Sequence, residues 1–85
     1  MNAVESWASD YVARIDPGFA ALTPEAQRQE NLFTSGRLDS MALMNLLLDA
    51  EGQFGFSFTP EAFQDRRLQT IAGLAEVVAE LTGAA

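Results

Sequence analysis

The sequence contains no cysteine and no histidine, and its five basic residues are all arginine. Without cysteine there is no disulfide framework, no thiolate metal site and no redox pair, so a reducing compartment suits the chain without being required. Without histidine it lacks a side chain that titrates near neutrality and a common metal ligand. A hydrolytic serine would also want such a base, and there is no glycine-serine-glycine elbow to present one. Calcium loops are excluded too, since no run of acids at alternate positions with a central glycine and a terminal glutamate occurs. An enzyme acting alone therefore has no support.

Positive charge is scarce: twelve acids against five arginines give a formal charge of −7. That balance opposes binding to nucleic acid and to anionic lipid, and it favours basic partners. No uninterrupted apolar run approaches the ~18 residues of a membrane span. The opening Met1–Trp7 has no basic region before an apolar one, as a secretory signal would. A cytoplasmic monomer that does not insert into membranes is expected.

What the chain does have is apolar content: 48% of its 85 residues are hydrophobic. It should fold as one domain, residues 1–85, around a core that is real but thin. Val4, Trp7, Ala8, Tyr11, Val12 and Ile15 form one helical stripe and predict a first helix over residues 3–15, ended by Asp16-Pro17-Gly18. From Phe19 to Leu38 runs a long connection, with at most one or two helical turns at Thr23-Pro24-Glu25-Ala26. The same four residue types return at Thr59-Pro60-Glu61-Ala62 as repeated capping chemistry rather than an internal repeat.

Asp39 or Ser40 caps a second long helix running to about Phe54, where Gly52 and Gly55 bracket its end. A loop and one short helix carry Phe56, Phe58 and Phe63 toward the core. Thr70 caps a last helix that turns Ile71, Leu74, Ala75, Val77, Val78 and Leu81 inward and ends at Gly83. The fold class is all-α: a small four-helix bundle of three long helices and a short third one, with a long loop between the first two. "GFSF" is too short and isolated to be a strand.

The second long helix has more large apolar residues than one face can use. Leu43, Leu46, Leu47, Ala50 and Phe54 fall within roughly 100°, the width of a core stripe. Met41, Met44 and Leu48 form a second ridge pointing nearly the opposite way, with Asn45 and Asp49 beside it. Either the long loop covers this ridge, or a partner docks there, for which adaptable methionines are suited. Ser40 has two readings as well. It is an ordinary cap residue, or it carries a phosphate ester at the positive end of the helix dipole.

The stretch "LFTSGRLDSMALMNLLLDAEGQFGFSFTPEAF" resembles the acyl carrier protein family, through a hydrophobic pair, a glycine, and Leu38-Asp39-Ser40-Met41 opening a long helix. The likeness continues through "QFG" and "TIAGLAEVV", while the first helix adds only a compatible pattern. In that family the serine of the Asp-Ser-Leu/Met signature carries 4′-phosphopantetheine, which implies attachment at Ser40 with Asp39 as the flanking acid. The implied mechanism is transport: a phosphopantetheinyl transferase would move the arm from coenzyme A to Ser40, with magnesium present. The arm's thiol would then hold an acyl group as a thioester for acyl-transfer enzymes.

Fatty-acid carriers of this family usually line the second helix with acids near the serine; here Ala42, Asn45, Gly52 and Gln53 stand at such places. With "LDSM" followed by "LLL" and "QFG", the chain looks more like freestanding D-alanyl and other aminoacyl or peptidyl carriers, which implies loading by an adenylating enzyme. Met41, Met44, Asn45 and Leu48 are then the expected partner face. The alternative is an unmodified helical adaptor that docks through Met41, Met44 and Leu48, with Ser40 only a cap.

Overall fold

The computed structural model describes residues 1–83, in which the three expected long helices are α1 (Ala3–Ile15), α4 (Ser40–Phe54) and α6 (Ile71–Thr82). The expected short helix is α5 (Pro60–Phe63), followed by a 3₁₀ turn at Arg66–Gln69. The long connection holds two short helices, α2 (Pro17–Ala20) and α3 (Pro24–Gln29). Asp16-Pro17 does end α1, but it also begins α2. The Asp16 carboxylate accepts the Gly18 N–H at 3.0 Å, and proline at the first helical position needs no N–H partner. No strand occurs among the described residues, and none of their helices is long and apolar enough to cross a membrane.

Phe19, Leu32, Leu38, Leu46, Ile71, Leu74 and Val12 are the largest fully buried side chains. Three of them, Phe19, Leu32 and Leu38, come from the long connection, so that segment is anchored into the core rather than draped over it. Its final turn bends at Gly36, whose φ of 81° lies in the left-handed region that glycine adopts without strain. The Leu38 N–H donates back to the Leu32 carbonyl at 3.0 Å, closing the bend just before α4.

The buried face of α1 is rotated from the one expected. Ala8 and Val12 are fully buried, but their inward neighbours are Glu5 and Ser9, and Ile15 is 49% exposed. Trp7 and Tyr11 instead face α4: the Trp7 ring meets Phe54 edge-on at 5.5 Å, and the Tyr11 hydroxyl donates to Asp49 at 2.6 Å. Ile15 is the last residue before the chain turns, so no further element covers it. Glu5 can be buried because its polar atoms are all engaged. One carboxylate oxygen accepts the Asn2 N–H, completing a capping box, and the other accepts from Arg28 Nε at 2.6 Å.

On the far side, α6 lies so close to the 3₁₀ turn that a Cβ on Gly73 would stand 2.1 Å from the Arg67 carbonyl oxygen. Only glycine permits this approach. The 3₁₀ turn is thereby seated against α6, and its outer side is presented to the start of α4.

Candidate functional site

Asp39 is the cap of α4, its carboxylate accepting the Ala42 N–H at 2.8 Å. Ser40 is therefore the first helical residue, and its exposed hydroxyl makes no hydrogen bond among the described residues. The sequence leaves the cap open between the two. A carboxylate wins because it offers the N–H a charged acceptor, and the serine is released from any structural duty.

The loop ahead of Ser40 is fastened across to the 3₁₀ turn. The Leu32 N–H donates to the Gln69 carbonyl at 2.7 Å, and the Asn31 side-chain amide donates to that of Gln69 at 2.9 Å. Arg37 adds an ion pair with Glu30 at 2.7 Å and a longer one with Asp16 at 3.3 Å. Between the turn and α4 lies a groove of about 260 Å³. Its α4 wall is Ser40, Leu43, Met44 and Leu47, one face of the helix at i, i+3, i+4 and i+7. The segment Phe63–Gln69 supplies most of the opposite wall, and Phe33 stands at the edge.

The connection does not cover the outer ridge of α4: Met41 is 75%, Met44 45% and Leu48 49% exposed, and Asn45 is exposed beside them. On the inner side Leu46, Leu47 and Ala50 are buried, while Leu43 and Phe54 are half-buried. The two faces separate as the helical angles require. Met44 belongs to both surfaces, since it lines the groove and also stands on the ridge. The Asp49 end of that ridge is tied down by Tyr11. Its phenol is pushed up to about 12 by its hydrogen bond to the Asp49 carboxylate, by burial and by that negative charge.

Charge on the groove is uneven. Arg67 is held by Asp65 at 2.8 Å and by Glu80 at 2.6 Å, with Glu76 at 3.5 Å. The Arg67 guanidinium, with help from its backbone N–H, holds the Asp65 carboxyl below the usual range. Arg66, between Asp65 and Arg67, is exposed, lines the groove and has no carboxylate partner among the described residues.

Of the residues singled out from the sequence, Ser40 and Met44 meet in the groove. Asp39 sits at the helix start, and Met41, Asn45 and Leu48 lie outside on the ridge. The second wall was missed. "QDRRLQ" has no periodicity or motif to set it apart, and only packing brings Phe33 to the edge of the groove. No cluster of potential metal ligands occurs among the described residues.

A protein-family model described as a phosphopantetheine attachment site matches residues 19–82. No curated protein and no solved structure matches.

Proposed function

The chain belongs to the phosphopantetheine-attachment family, and on that premise we propose that Ser40 carries the arm and that the protein presents an aminoacyl group to partner enzymes. Membership makes it a carrier and not an enzyme, with 4′-phosphopantetheine as its covalent cofactor. Once attached, the arm supplies the thiol that the chain's own residues lack.

The observation that carries the assignment of Ser40 is its unengaged hydroxyl. It is exposed at the first position of α4, the capping duty falls to Asp39, and a largely apolar groove opens directly beside it. These features suit a group with a phosphate at its root and a long flexible chain beyond. The helix start tolerates the phosphate's negative charge, and the groove offers the chain a surface to lie on.

The finer reading concerns cargo and partners. From Ser40 to Leu48 α4 has no acid, and its exposed side chains include Met41, Met44, Asn45 and Leu48. A partner selected by this face reads apolar shape more than charge, which supports adenylating and acyl-transfer partners that differ from basic fatty-acid enzymes.

Incubation with coenzyme A, magnesium and a broad-specificity phosphopantetheinyl transferase tests the site. Intact mass should show one arm on the wild type and none on Ser40→Ala; equal modification of both would move the site elsewhere. Competition between an amino-acid-adenylating enzyme and a malonyl transferase then tests the cargo. Efficient malonyl loading without aminoacyl loading would overturn the subgroup.

A further inference from the structure

We propose that Arg66 is a positioning residue for the arm: its guanidinium pairs with the phosphodiester on Ser40 and so directs the arm along the groove. The inference rests on the reading that Ser40 carries the arm.

Attachment adds a negative charge to a chain that already has a formal charge of −7, right beside the Asp39 carboxylate. The positive end of α4 offsets part of this. A cation is the stronger counterweight, and the chain has only five. Arg28 is held by Glu5 and Glu25, Arg37 by Glu30 and Asp16, and Arg67 by Asp65 and Glu80. Arg14 lies on α1 over the Tyr11 ring, 5.7 Å from its centroid. Arg66 alone among them both lacks a carboxylate partner among the described residues and lines the groove that Ser40 opens.

The neighbouring residues explain why it is left unpaired. Asp65 would be the natural partner of either arginine, but its carboxylate accepts from the Arg67 side chain at 2.8–3.2 Å and from the Arg67 backbone N–H at 2.9 Å. The acid on the groove wall is thus neutralised from behind, and the exposed guanidinium keeps its donors for an anion outside the protein. Guanidinium matches phosphate through two parallel hydrogen bonds, which fixes direction as well as distance. A phosphodiester held toward the second wall leaves the chain beyond it over Leu43, Met44 and Phe63.

The test uses intact holo-protein of the wild type, Arg66→Gln, Arg66→Lys and Arg14→Gln, each verified by mass to carry one arm and by thermal unfolding to be folded. Two signals are read: the ³¹P shift of the phosphodiester, and nuclear Overhauser contacts from the arm's geminal methyls to Leu43 and Phe63. Arg66→Gln should move the ³¹P resonance and lose the contacts, Arg66→Lys should recover part of both, and Arg14→Gln should match the wild type. Salt near 1 M, where screening reaches about 3 Å, should bring the wild type toward Arg66→Gln. Identical ³¹P shifts and contacts in wild type and Arg66→Gln would overturn the inference, as would an equal change in Arg14→Gln. Absence of an arm on every variant would remove it by removing its premise, and the mass spectrum separates that failure from the others.

Discussion

Of two cavities on this molecule, the larger is lined by charged groups that the fold has already paired. The one of about 410 Å³ lies along α1, α3 and α6, lined by Ala72, Ala75 and Ala79 and by charged groups already in use: Glu5 with Arg28, and Glu76 and Glu80 with Arg67. The groove of about 260 Å³ beside α4 holds Ser40, with an unbonded hydroxyl, and Arg66, with no carboxylate partner among the described residues. Volume does not distinguish a site in so small a protein. What distinguishes it is polar chemistry left unsatisfied in the groove while the charged groups of the larger cavity are paired, because a group already bonded within the fold has little left to offer a partner.

The contrast breaks most completely if the support beneath the groove is removed. Leu46 is fully buried on the inner side of α4. Leu46→Ala should therefore cost about 2–5 kcal/mol through lost burial and a residual cavity. A domain this small has little stability in reserve. Thermal unfolding measures it, and a loss below about 1 kcal/mol would mean that α4 is not held by that contact.

The paired side is tested by Glu5→Gln, which removes a charged acceptor and should cost about 1–3 kcal/mol at pH 7. The value should fall toward the low end, because the Arg28 side chain is 31% exposed and solvent screens the pair. Burial tends to raise the Glu5 pKa, but the Asn2 N–H and Arg28 together hold it below the ordinary value. A depressed carboxylate contributes stability above its unfolded value and loses it as pH falls through the folded one. Wild type should therefore lose thermal stability below about pH 4, and Glu5→Gln should follow a shallower acid slope. Parallel slopes would deny the pair its role.

At the mouth of the groove, neighbouring residues should behave in opposite ways. Asp39→Ala removes the cap and should cost about 1 kcal/mol. Ser40→Ala, whose hydroxyl holds nothing, should leave stability within about 0.5 kcal/mol while abolishing modification. A larger loss in Ser40→Ala than in Asp39→Ala, read by thermal unfolding, would return the capping role to the serine.

An equally small stability effect belongs to the outer ridge, where Met44 is 45% exposed. Met44→Ala should shift stability by about 0.5 kcal/mol at most. It should nonetheless slow loading or transfer by partner enzymes, since the contact it loses is made only in the complex. Steady-state kinetics of the loaded protein decide this. Wild-type transfer rates in Met44→Ala would detach the ridge from docking.

The sequence by itself determined what depends on a few neighbouring residues. The periodicity of α4 and α6 and the Thr23, Thr59 and Thr70 caps are satisfied by bonds spanning three to five residues. So are the terminating glycines, Gly55 with φ of 69° and Gly83 with φ of 73°. The Asp39-Ser40 pair at a helix start was legible for the same reason. Only the tertiary structure decided that α1 turns Glu5 inward instead of Ile15, and that Arg67 takes Asp65 and leaves Arg66 facing the groove. Those choices depend on which distant side chains share a space, such as Glu5 with Arg28 or Arg67 with Glu80.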